Sequence, residues 1–214
     1  MRRLGGLSSG VAAVAVFATS AAWLAGPHLP QWFARYFGSI PPALCIAALG
    51  VIALVMAPKL RRHGFWGAPR ARAVPVAALL VVGFAAVIVA LDRLAGLPSG
   101  INAPLPWALL YYPAMGFAAQ IALHLLPLVV IVWAAPGYVQ RRPRIVMAIS
   151  AAPEATLQAL SSEGAVASLI ALHLLAFGVA EIYLLRRFGF VAMYAFRLGY
   201  YLVWHILWGA VRGG

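Results

Sequence analysis

The apolar run that closes the chain limits its fold more than any other feature. Arg186-Arg187-Phe188-Gly189-Phe190 opens it, and hydrophobic sequence continues to Trp208-Gly209 with Arg197, Tyr201 and His205 inside. At a rise of ~1.5 Å per residue, such a run crosses the ~30 Å hydrocarbon core of a bilayer. A cation near mid-depth costs at least ~2.5–3.5 kcal/mol when it faces lipid. Residues i, i+4 and i+8 share one helix face, so Arg197, Tyr201 and His205 form a single polar stripe. That stripe predicts a helix facing into a bundle, toward polar partners supplied by earlier spans.

Composition provides those spans. The chain is 64% hydrophobic and 9% charged, with a mean hydropathy of +0.94, which excludes a soluble domain and predicts an all-α polytopic transmembrane bundle. A net charge of +12 raises the question of nucleic acid. The basic residues, however, lie in short clusters between apolar runs, the positive-inside pattern, so the predicted partner is the lipid bilayer and no nucleic acid. Cys45 has no second cysteine to pair with, which excludes an intramolecular disulfide or a cysteine metal site.

Read in order, the chain forms one integral membrane domain over residues 1–214. Met1-Arg2-Arg3 and the run Leu7–Leu24 form either a signal peptide, with Ala18-Thr19-Ser20-Ala21-Ala22 suited to cleavage, or a first span. The uncleaved span is the favoured expectation, and cleavage would leave the later topology unchanged. Pro27–Ser39 is an aromatic interfacial loop. Ile40–Ala57 is a second span, Lys59–Arg72 a strongly basic loop, and Val74–Leu91 a third span. Asp92–Pro106 is a far-side loop. Trp107–Ala135 is longer than one perpendicular span needs, and Pro113 and Gly116 predict a kink or the end of a short first segment. Ile145–Leu160 is a fifth, shorter span interrupted by Pro153, with a re-entrant piece as the alternative. Ala165–Leu185 is the sixth, and the closing run is the seventh. With the N-terminus inside, twelve of the 16 Lys and Arg residues fall inside. Arg35, Arg93 and Arg212 fall outside and Arg197 within the membrane. Removing the fifth span would expel Arg186 and Arg187, so the bias supports seven. The expected location is a bacterial inner membrane.

Depth along the spans brings polar groups to similar levels. Glu181 and Arg197 flank a short basic turn and are predicted to form a structural ion pair. His124 and Glu154 fall near mid-depth, and His173 and His205 in the outer half. Intramembrane ionisable residues are functional candidates by default, so His124, Glu154, His173 and His205 are the candidate catalytic residues. Gln120, Gln158 and Tyr201 are predicted to serve as polar bundle contacts, and Gly50, Gly83, Gly116 and Gly178 as close-packing positions. Motifs of soluble hydrolases and nucleotide-binding proteins are missing from the sequence.

The segment Arg186-Arg187-Phe188-Gly189-Phe190-Val191-Ala192-Met193, with Arg197 and His205 beyond it, resembles the last core helix of the CPBP (Abi) intramembrane proteases. Gly116 to His124 falls where that family carries EExxxR, and Leu169 to His173 where it carries FxxxH. The resemblance covers about residues 107–209. It implies a helical membrane core in which a glutamate activates water and histidines support the oxyanion. Here Ala119-Gln120 replace the paired glutamates and His124 the arginine. Leu169 replaces the phenylalanine, Arg197 the last-helix histidine, and Tyr201 its polar partner. The expectation is therefore a divergent homologue with lost or remodelled peptidase activity. Two alternatives stand beside it. One is a non-catalytic membrane subunit or assembly factor with a membrane-protein partner. The other is a haem- or pigment-binding protein with His173 and His205 as axial ligands.

Overall fold

A computed structural model describes residues 33–34, 36–97, 102–160 and 165–212. The Leu7–Leu24 run and its arginines lie outside the described residues. The described chain is helical without strands: α1 (Pro42–Arg62), α2 (Ala73–Ala95), α3 (Ala108–Ala134), α4 (Pro136–Arg141), α5 (Pro143–Leu160), α6 (Ala165–Phe188) and α7 (Phe190–Val211). In hydrocarbon every backbone N–H and C=O must find a partner within the segment, and these Ala-, Leu- and Val-rich runs satisfy that as helices. Five of them (α1, α2, α3, α6 and α7) are long and apolar enough to cross a membrane. Their outward faces are apolar too: Leu44, Val55, Leu79, Val82 and Trp133 are all exposed. So large an apolar exterior fits an integral membrane protein surrounded by lipid.

The interruption in α3 lies elsewhere than the sequence suggests. Pro113 and Gly116 sit inside an unbroken helix, and the wide turn comes one step later, as a π-helical stretch at Ile121–Leu125. There the Leu126 N–H bonds back to the Ile121 carbonyl. Pro127 supplies the cause, because it offers no N–H to the carbonyl four residues earlier and its ring crowds that carbonyl. The extra residue in this turn leaves both Gln120 and His124 fully buried.

Helix α5 forms over the expected fifth span, and Pro153 does not end it. It is less apolar than the other long helices, carrying Arg144, Ser150, Glu154 and Gln158. It runs antiparallel to α6 through small residues: Ala151 approaches Gly178, and Ala155 and Ala159 lie with Ala171 and Leu175 along one seam. An aromatic seam joins α2, α6 and α7, with Phe177 stacked on Phe196 at 4.7 Å and Phe84 edge-on to Phe177 at 5.5 Å.

Both ends of the bundle are tied. At one end the basic loop after α1 folds against the α6–α7 turn. The Gly67 N–H donates to the Leu185 carbonyl at 2.8 Å, and Trp66 stacks on Phe190 at 5.9 Å. The arginines of that loop therefore share an end with Arg186 and Arg187. At the other end the buried Asp92 carboxylate closes α2 onto α7. It accepts from the Leu97 N–H at 2.9 Å, from Trp208 Nε1 at 2.6 Å and from Arg212 at 2.9 Å. Removing it leaves three donors at the bundle end short of an acceptor. Asp92→Ala should lower stability by about 1–3 kcal/mol, read as a lower melting temperature in detergent, with Asp92→Asn milder.

Candidate buried ionic site

Arg197 is the centre of the site. Position 197 lies two turns into α7 and the side chain is wholly buried, so all five guanidinium N–H groups require acceptors. They find them. Nε and Nη2 grip Glu181 of α6, each at 2.7 Å. Nη1 and Nη2 grip Glu154 of α5 at 2.9 and 2.6 Å. The remaining Nη1 proton goes to the Tyr201 hydroxyl at 3.0 Å. One guanidinium thus holds two carboxylates, each through two parallel bonds, the geometry that suits arginine and not lysine. The guanidinium carbon lies over the Phe177 and Tyr201 rings, 5.3 and 5.7 Å from their centres.

Helix α3 closes the site. Gln120 Nε2 donates to Glu181 at 3.1 Å and to the Met193 carbonyl at 2.9 Å, which ties α3 to α6 and α7 together. His124 Nε2 lies 3.3 Å from Glu154 Oε2 and 3.4 Å from Glu181 Oε2. Those contacts are close but out of line for hydrogen bonds, and neither ring nitrogen has a hydrogen-bond partner. Gly178 makes the approach possible, since a Cβ there would stand 2.7 Å from His124 Nε2. Gly116 does the same for α7, where a Cβ would sit 3.3 Å from the Tyr201 ring. Nothing lies within 4 Å of the same position at Gly83.

The sequence candidates therefore divide. His124, Glu154, Glu181, Arg197, Gln120 and Tyr201 meet in one cluster. Gln158 lies one turn beyond Glu154 on α5 and is half-buried. His173 and His205 have other neighbours. His173 Nε2 pairs with the Tyr200 hydroxyl at 3.2 Å, its ring edge-on to Phe84. His205 Nδ1 pairs with Asn102 at 2.7 Å, its ring stacked on Tyr112 at 4.6 Å. The stripe on α7 is real as far as Tyr201, whose ring touches that of His205 at 5.1 Å. Asp92 and Asn102, which tie the loop end of the bundle, escape a reading built on mid-depth residues. Their signal was one acidic residue in the last turn of α2, facing Arg212 at the end of α7.

Fold and site together define an integral membrane helix bundle closed around a buried Arg–Glu–Glu–His cluster. No protein-family model, curated protein or solved structure matches the chain.

Proposed function

We propose that the chain is a divergent CPBP-like membrane protein that has given up glutamate-based peptide hydrolysis and serves as a non-catalytic membrane subunit or assembly factor. The observation that carries this reading is the engagement of both carboxylates by one cation: every oxygen of Glu154 and Glu181 accepts a bond from Arg197. A general base must be free to take a proton from water, and a carboxylate locked into a doubly bonded ion pair is a poor one. Gln120, at the position of the family's glutamates, has no basic oxygen to offer. Order along the chain (Gln120 and His124, then His173, then Arg197 and Tyr201) supports the family likeness.

In this reading the chain spans the bacterial inner membrane seven times with its N-terminus inside. Two features support the count: among the described residues the basic loop after α1 and the basic α6–α7 turn lie at one end of the bundle, and α5 runs antiparallel to α6. Haem or pigment ligation by His173 and His205 draws no support from their separate partners.

The test is a cleavage assay in lipid nanodiscs with membrane-embedded peptide substrates. Neither the wild type nor Glu154→Gln should release product above the rate of empty discs. Wild-type cleavage abolished by Glu154→Gln would overturn the proposal. Mild solubilisation of native membrane should in turn recover a stoichiometric partner.

A further inference from the structure

Charge within the cluster does not close. Two carboxylates face one guanidinium, so one negative charge is left in a low-dielectric interior, and a dication holding one anionic ligand such as hydroxide would cancel it. The group pointed at that charge is His124, wholly buried and with no hydrogen bond at either nitrogen. His124, Glu154 and Glu181 are also the group of His, Cys, Asp and Glu side chains, among the described residues, whose ligand atoms all lie within 4.8 Å of one another.

We propose that His124 Nε2, Glu154 Oε2 and Glu181 Oε2 form a three-ligand site for a divalent transition-metal ion of the zinc type, with Arg197 bracing both carboxylates from the other side. The spacing carries the argument. Tetrahedral zinc bonds of ~2.0–2.2 Å to nitrogen and oxygen set neighbouring ligand atoms ~3.3–3.5 Å apart. The two edges that meet at His124 are 3.3 and 3.4 Å. Both are too long and too bent for good hydrogen bonds, and both fit the edges of a coordination tetrahedron. Each Oε2 also accepts from Arg197 Nη2, at 2.6 and 2.7 Å. A carboxylate oxygen has two lone pairs, so one can serve the guanidinium and the other a metal ion. An imidazole nitrogen in the set selects zinc-like ions over magnesium, calcium or sodium.

The surroundings suit the site. Gln120 and Arg197 orient the carboxylates as outer partners that tune a metal centre. Gly178 keeps the space beside Nε2 clear. The Glu154 side chain keeps 16% exposure while the other two ligands are buried, so Glu154 is the ligand nearest the outside of the bundle. Three protein ligands leave a fourth position for water or an exchangeable group. The proposal stands apart from the CPBP-like reading, because its test measures metal and not cleavage.

The test uses untagged wild-type chain in detergent, stripped with a chelator, dialysed, and titrated with cobalt(II) or zinc(II) chloride alone. The expected result is one equivalent bound per chain, with the intense visible bands of four-coordinate cobalt, displaced by zinc. His124→Ala should weaken cobalt binding at least ~100-fold, while His205→Phe leaves it unchanged. His124→Gln serves as the second variant should the alanine protein fail to fold. No uptake by monodisperse wild type would overturn the proposal. So would uptake that survives both His124 substitutions.

Discussion

Replacing Arg197 by methionine should destabilise the protein by about 3–5 kcal/mol, the cost of stranding buried charge. Glu154 and Glu181 would face each other with no cation between them, one wholly buried and the other at 16% exposure. The expected reading is a collapse of folded yield and a large fall in detergent melting temperature. Arg197→Lys should recover only part of the loss, since one ammonium cannot bond both oxygens of two carboxylates. The informative variant removes all three charges together. Arg197→Met with Glu154→Gln and Glu181→Gln should be far more stable than Arg197→Met alone, because replacing a whole buried ionic group is often nearly neutral. Such non-additivity is the mark of groups in one network. If the losses simply add, the three side chains do not act as a unit and the clamp is not what holds α5, α6 and α7 together.

This cluster also marks where sequence reading ends. The approach of Glu181 to Arg197 was legible, because two helices joined by a short turn must lie side by side and both residues sit within two turns of it. The second carboxylate was only half legible. Depth placed Glu154 at the right level, but depth says nothing about the rotation of α5 about its own axis, and it is the packing of Ala151 against Gly178 that turns Glu154 inward. The same ignorance of rotation misled in the other direction for His173 and His205. Their similar depth suggested a shared cavity, yet α6 turns His173 toward Phe84 and Tyr200 while α7 turns His205 toward Asn102 and Tyr112. In α3 the missing piece was Pro127. A proline after a span's midpoint reads as a kink, whereas here it widens one turn and leaves Gln120 and His124 both buried at the cluster. Helix identity came from composition; the azimuth of each helix came from small residues and prolines whose effects are three-dimensional.

Gly189→Ala should be among the most damaging single-methyl changes at the described residues. Gly189 joins α6 to α7 at φ 87° and ψ 179°, a conformation essentially closed to residues with a Cβ and worth about 1–3 kcal/mol of strain. Space is missing as well, for the added Cβ would stand 2.6 Å from the Gly67 carbonyl oxygen. That carbonyl cannot swing aside freely, because the Gly67 N–H is bonded to Leu185 and a Cβ at Gly67 would itself lie 2.5 Å from the Arg187 backbone. Two glycines, one on each segment, are what let the basic loop and the α6–α7 turn touch. Overpacking at such a contact adds about 1–3 kcal/mol, and any shift of the turn moves Arg197, two helical turns further on, against its carboxylates. Gly96 provides the control: it too has positive φ, at 62°, but nothing lies within 4 Å of its Cβ position. Gly96→Ala should therefore show backbone strain alone. Melting temperatures of the two variants in the same detergent separate the terms. A Gly189→Ala protein no less stable than Gly96→Ala would mean that the loop does not rest on the turn, and that the basic end of the bundle is held by something other than this contact.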